Sequence, residues 1–188
     1  GISAISVFKD IPPQLVDMKS FWRHSLRCAI FARLIAEKCA PTQKERHFVA
    51  GLLHDIGKLL LYKKLPYASS QALVYSRFNS VPEFEAEKEV ISFDHMRIGM
   101  LLVQEWNFPE TLVQSIATHH TPSCEGDLGP CIVHLADLLS LTAGISEGSP
   151  RVAPQLSPTC WDLLGLKTAD LKGLFEKQEE VLQQLTGM

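Results

Sequence analysis

The stretch that most constrains this chain is Ala50-Gly51-Leu52-Leu53-His54-Asp55-Ile56-Gly57-Lys58-Leu59-Leu60-Leu61. Its apolar character marks it for burial, yet its centre holds an imidazole, a carboxylate and an ammonium. Burying such groups costs on the order of several kcal/mol each unless each finds a partner. A metal ion would resolve the conflict, because neutral imidazole and carboxylate are good ligands and the cation cancels buried negative charge. A fold that satisfies this stretch must bring further ligands to it.

The flanking sequence reads as one helix after another. A long helix is expected from Met18 to Cys39, where His24, Cys28, Phe31 and Ile35 share a face at helical spacing and turn His24 inward. Thr42-Gln43-Lys44-Glu45 has the form of a capping box, starting a helix expected to carry His54 and Asp55. On it His47, Gly51, His54 and Lys58 align, with Gly51 allowing another backbone to approach. Pro66 opens a further helix, and Pro82 another, with Glu83 and Glu85 placed to suit the macrodipole. Asp94 is a natural N-cap for a helix bearing His95 and Gly99. After Pro109, Leu112 and Ile116 lead in register to His119, and Val113 and Ala117 to His120. Thr121 to Pro130 reads as a loop. Asp137 then lies in line with Val133 and Leu141 on an apolar helix face. A proline-rich loop, a short helix near Trp161 and an amphipathic helix from Thr168 complete the chain. No stretch alternates like a strand, so the fold class expected is all-α, a single-domain helical bundle.

Composition narrows the function classes. With 188 residues, 46% of them hydrophobic, the chain can bury a core without disulfide staples. A net charge of −3 supports neither a nucleic-acid polymer nor an anionic membrane as partner. No apolar run approaches the ~20 residues of a membrane span. The start shows no signal-peptide pattern. Five scattered cysteines without Cys-x-x-Cys spacing are expected to be unpaired buried thiols, and the location cytoplasmic. His24, His54, Asp55, His95, His119, His120 and Asp137 therefore stand out as polar residues on inward faces, with Lys58 beside them. For His47 and His134 an ordinary core role is expected.

This order of residues resembles the HD superfamily of metal-dependent phosphohydrolases. Phe21-Trp22-Arg23-His24-Ser25, Gly51 to Gly57, Phe93-Asp94-His95, Gly99, Trp106 with Pro109, His119-His120-Thr121-Pro122 and Val133-His134-Leu135-Ala136-Asp137 narrow it to the HDOD group of bacterial signalling domains. On this resemblance residues 1–17 form a lead-in segment and 18–188 the HD-type helical domain, with the family's N-terminal helical half missing. That half, or a signalling protein, would be a partner, and self-association is a further expectation, with apolar side chains of residues 1 to 39 left exposed.

The resemblance also implies a site. His24, His54 and Asp137 would hold one divalent transition metal ion, and His95, His119 and His120 a second. Asp55 would bridge them, and Lys58 would lie near a substrate phosphate. The ions would be Fe, Mn, Zn, Ni or Co. The implied activity is hydrolysis of a phosphomonoester or phosphodiester, with a nucleotide among the candidates. The alternative is a regulatory module whose metal site is structural or sensory. Residues 121–130 lack the Gly-Tyr-Pro motif of the related HD-GYP phosphodiesterases, which argues against a cyclic-dinucleotide substrate. Ser20 replaces a glutamate that some of those enzymes place one turn before the first histidine, which argues against a third metal.

Overall fold

The computed structural model describes residues 8, 10–123, 126–144 and 152–187. The described residues form helices and no strand. In chain order these are α1 (Met18–Cys39), α2 (Lys44–Leu53), α3 (Ile56–Lys64), α4 (Pro66–Asn79), α5 (Glu83–Ile91), α6 (His95–Glu105), α7 (Glu110–Ala117), α8 (Gly129–Gly144), α9 (Pro158–Leu164) and α10 (Thr168–Thr186). The all-α class expected from the sequence is what the chain adopts.

Helix α1 is the spine. Asp17 caps it by accepting from the Lys19 and Ser20 backbone amides, satisfying donors that a helix start leaves open. Its buried face, Cys28, Phe31 and Ile35, joins Ile132 and Leu135 of α8, Cys160 and Leu164 of α9, and Leu174 of α10. A second cluster gathers Ala50, Val103, Leu112, Ile116 and Val133 from α2, α6, α7 and α8. A third joins Phe8, Phe21, Ile56 and Leu59. Each large side chain so buried contributes about 1.5–3 kcal/mol. The three clusters hold α1, α2, α3, α6 and α8 around a polar centre.

Two glycines set how closely these helices approach. A Cβ on Gly51 would lie 2.9 Å from the Cα of Ala29 and from the Cys28 carbonyl oxygen, so α2 crosses α1 backbone to backbone. A Cβ on Gly57 would collide with the His95 carbonyl, so α3 abuts the start of α6.

Four expectations need correction. The capping box does not form: Pro41–Gln43 is a short 3-10 turn, and α2 starts after Gln43 without a side-chain cap. His54 and Asp55 do not sit within one helix but in the turn between α2 and α3. The cysteines are not all unpaired, because Cys131 and Cys160 form a disulfide across α8 and α9. Their separation of 29 residues is invisible to a search for close spacing, and in the chain-entropy model such a link stabilises by about 3–4 kcal/mol. Cys28 is buried and unbridged, as expected; Cys124 lies outside the described residues. Finally, no large apolar side chain is exposed among the described residues of the first 39. The most exposed large apolar groups lie instead on α4, where Tyr67, Val74 and Phe78 face outward. Among the described residues no helix is long and apolar enough to cross a membrane.

Candidate metal centre

The seven imidazole and carboxylate side chains singled out in the sequence meet in one place. His24 comes from α1, His95 from the first residue of α6 and Asp137 from the middle of α8. The other four occupy turns: His54 and Asp55 between α2 and α3, His119 and His120 just beyond α7. Ligand-capable atoms of His24, His54 and Asp137 lie within 4.8 Å of one another, and so do those of Asp55, His95, His119 and His120.

The break between α2 and α3 follows from this use. Asp55 stands at the N-cap of α3 but makes no side-chain cap bond. Its carboxylate is committed elsewhere. Oδ1 lies 3.2 Å from His95 Nε2 and 3.8 Å from His119 Nε2. Oδ2 lies 3.6 Å from His54 Nε2 and 3.8 Å from His24 Nε2. One carboxylate thus presents an oxygen to each cluster.

Behind the rings stands a second layer that fixes their orientation. His54 Nδ1 is 2.7 Å from the Gly51 carbonyl oxygen, and His119 Nδ1 is 2.8 Å from that of Ile116. A carbonyl only accepts, so both Nδ1 atoms carry a proton and both Nε2 atoms point at the centre. His95 Nδ1 lies 2.6 Å from Glu87 Oε2, which also accepts from the His95 backbone amide. His24 Nδ1 meets the Ser140 hydroxyl at 3.0 Å. His120 is turned the other way, its Nδ1 3.7 Å from Asp137 Oδ2 and its ring stacked on Phe84 at 4.7 Å.

In metal-free protein burial would lower His54, but Cys28, Asp55 and Asp137 carry it well above its ordinary range, so an ion taking its Nε2 displaces a proton. Burial alone would raise the carboxyl of Asp55, but Lys58, His54 and His95 outweigh it and hold it well below the usual range. Burial likewise would raise Asp137, and hydrogen bonding to His24 and His54 reverses it. Burial pushes His119 down to about 3, helped by the neighbouring His54 and His95. Burial also drives His120 well down, with His119 adding to it. Burial would lower His95, but the Glu87 carboxylate carries it up to about 9.

These residues fit a metal. His119 Nε2 and His120 Nδ1 are buried and hydrogen-bonded to no group among the described residues, an arrangement that buried polar atoms rarely tolerate. An ion holding N and O ligands at about 2.0–2.2 Å would satisfy them after small adjustments. The engaged rear nitrogens are the outer layer that such ligands commonly have.

Lys58 closes the centre on one side, its Nζ 2.9 Å from Asp55 Oδ2 and 3.0 Å from Glu83 Oε2. The mouth, lined by Lys58, Glu83, Phe84, His120, Leu141 and Pro154 among others, holds a cavity of about 20 Å³. The two remaining histidines stay outside the centre. His47 is buried beside Arg46, which pairs with Asp127. His134 Nδ1 donates to the His119 carbonyl and its Nε2 accepts from the Ser157 amide, so it steadies the turn that carries His119. Sequence reasoning missed Glu83, Glu87 and Ser140.

Comparison with known proteins places this architecture. A solved HDOD domain protein of unknown function from Geobacter sulfurreducens superposes with a TM-score of 0.71 at 21% identity, over 90% of this chain and 63% of its own. A candidate phosphohydrolase from Shewanella amazonensis SB2B gives 0.68 at 26% identity, over 88% and 60%. A protein from Marinobacter aquaeolei VT8, assigned provisionally to signal transduction, gives 0.73 at 18% identity, over 96% and 40%. An uncharacterized protein of Treponema pallidum (strain Nichols) is 24% identical over 122 residues, 64% of this chain but 24% of that protein. This chain therefore spans less than two thirds of the length of these relatives. Residues 1–122 match the family model described as the HDOD domain, and the chain belongs to the HDOD family.

Proposed function

We propose that this chain is a metal-dependent phosphohydrolase domain of a signalling protein, acting on a phosphomonoester or phosphodiester, with nucleotides among its candidate substrates. The observation that carries this reading is the set of rings whose rear nitrogens are engaged while their front nitrogens face two buried carboxylates. His24, His54 and Asp137 would hold one ion, His95, His119 and His120 the other, and Asp55 both. Bound ions would supply an activated water and neutralise the charge of a phosphoryl group. Lys58 would contribute a positive charge to a phosphate oxygen at the mouth, while the walls limit entry of bulk water. The Shewanella relative, by its name, supports the same reading.

One observation favours a second reading, a regulatory module with a structural or sensory metal site. A mouth of about 20 Å³ admits one water but no phosphoester. The Marinobacter relative, by its name, belongs to signal transduction.

Two variants separate these readings. Asp55→Asn removes charge where one side chain would serve two ions, with little change in size. Lys58→Ala removes no ligand. For an enzyme, Asp55→Asn loses bound metal and activity together, whereas Lys58→Ala retains metal and loses activity by about 10–1,000-fold. For a regulatory module, Asp55→Asn loses metal and melting temperature and Lys58→Ala is nearly silent. Metal content, melting temperature and hydrolysis of a phosphoester panel are the readouts. Wild-type protein that binds Mn or Fe and hydrolyses nothing leaves the regulatory reading; protein that binds no transition metal removes both.

A further inference from the structure

The contact that closes the mouth is itself an ion pair, between Lys58 and the Glu83 carboxylate. Lys58 is buried and held by two carboxylates from different elements, Asp55 in the α2–α3 turn and Glu83 in the first turn of α5. Asp55 faces the imidazoles. Glu83 faces the mouth, with 18% of its side chain exposed, and it lines the same small cavity as Lys58. A ligand oxygen that reaches Lys58 from solvent must pass the Glu83 carboxylate. The next residue, Phe84, stacks on His120, so the same turn also covers one of the rings.

We infer that Glu83 is a displaceable stand-in for the ligand, its carboxylate occupying the position on Lys58 that a tetrahedral oxyanion takes, and that the site therefore selects phosphomonoester dianions over phosphodiester monoanions. This rests on the reading of the centre as a metal-bearing phosphate site. The argument is one of exchange. Glu83 and a ligand oxyanion cannot both join Asp55 at Lys58 within a cavity of about 20 Å³, because like charges at contact repel strongly where water is scarce. Replacing one carboxylate by a singly charged diester gains no charge at the ammonium. A doubly charged monoester does gain it, and adds a second charge for the centre below. Glu83 stands in the first turn of its helix with its side chain partly exposed, a position from which a carboxylate can turn to water.

The test is a calorimetric titration of inorganic phosphate, and of dimethyl phosphate as a singly charged diester, into wild-type protein, Glu83→Gln and the double variant Glu83→Gln/Lys58→Ala. Each protein is measured metal-loaded and metal-free, with metal content and melting temperature determined alongside. Wild-type protein should bind phosphate more tightly than dimethyl phosphate. Glu83→Gln should tighten phosphate binding about tenfold, the scale of a lost partly buried ionic competitor, and the double variant should lose that gain. Unchanged or weaker phosphate binding by folded Glu83→Gln overturns the inference, as does a wild-type preference for dimethyl phosphate. Failure of the metal reading is separately visible in the metal content, and the metal-free titrations still report the contest between Glu83 and phosphate for Lys58.

Discussion

In the half of the centre formed by His24, His54 and Asp137, the donor atoms lean on one another: His24 Nε2 lies 3.1 Å from Asp137 Oδ1 and 3.3 Å from His54 Nε2. Their supports are neutral, the Ser140 hydroxyl and the Gly51 carbonyl. In the half formed by His95, His119 and His120, three ligand atoms, His95 Nε2, His119 Nε2 and His120 Nδ1, have no hydrogen-bond partner among the described residues, and the nearest support is charged. Glu87 stands 2.6 Å behind His95, and it comes from α5, outside the three apolar clusters around α1. The first half thus carries its own carboxylate. The second shares Asp55 and imports charge from a peripheral helix, the same helix that supplies Glu83 and Phe84 at the mouth. Metal retention in the second half should therefore depend on α5, and in the first it should not.

The largest effect should come from Gly57→Ala. Its Cβ collides with the His95 carbonyl, and backbone cannot yield as a flexible side chain does. We expect a loss of about 2–4 kcal/mol in stability and, on the proposed two-ion reading, metal content falling from two equivalents to one, because His95 moves while His24, His54 and Asp137 stay. Loss of both equivalents in a folded variant would show that the halves are not independent.

Next in size is the removal of the rear partners. Glu87→Gln should weaken metal binding in the second half by about 10–100-fold, and Ser140→Ala should weaken the first half by less than tenfold. Two-site isotherms for Mn or Co on each variant read both constants. Equal effects on the two sites, from either variant, would break the distinction drawn here.

The smallest effect is a difference of sign with pH in metal-free protein. His95 is raised from 6.5 to about 9 because Glu87 outweighs burial, so its stabilising contribution is complete below about 6.5 and is lost as pH rises toward 9. His24 is lowered because burial outweighs the pull of Asp137, so its contribution is complete above about 6.5 and is lost as pH falls. Melting temperatures of chelator-treated wild-type protein, His95→Gln and His24→Gln across this range should show the alkaline slope flattened in the first variant and the acid slope in the second.

How much of this was legible beforehand depended on period and surroundings. His24, His95 and Asp137 lie on helices, so register alone turned them inward. His54 and Asp55 announced themselves as polar residues in an apolar run. What register could not show was that the run breaks at this pair, since no proline separates α2 from α3 and the Asp55 carboxylate is engaged by imidazoles far along the chain. Glu83 escaped notice because an acid in the first turn already has an explanation in the macrodipole, and Glu87 because a glutamate inside a charged helix is usually solvated. One signal was present: both fall within one turn of Phe84, a large apolar residue that marks the buried side of α5. The Cys131–Cys160 link joins residues that only the packing of α9 on α8 brings together.

The turn between α2 and α3 has a further consequence. His54 sides with one cluster and Asp55 with the other, and these residues are neighbours in the chain. Consecutive Cα atoms stand about 3.8 Å apart whatever the helices do. The two halves are therefore joined by a single peptide unit, a covalent link whose length does not change when α1, α6 or α8 tilts, while those tilts decide how well each half closes around it.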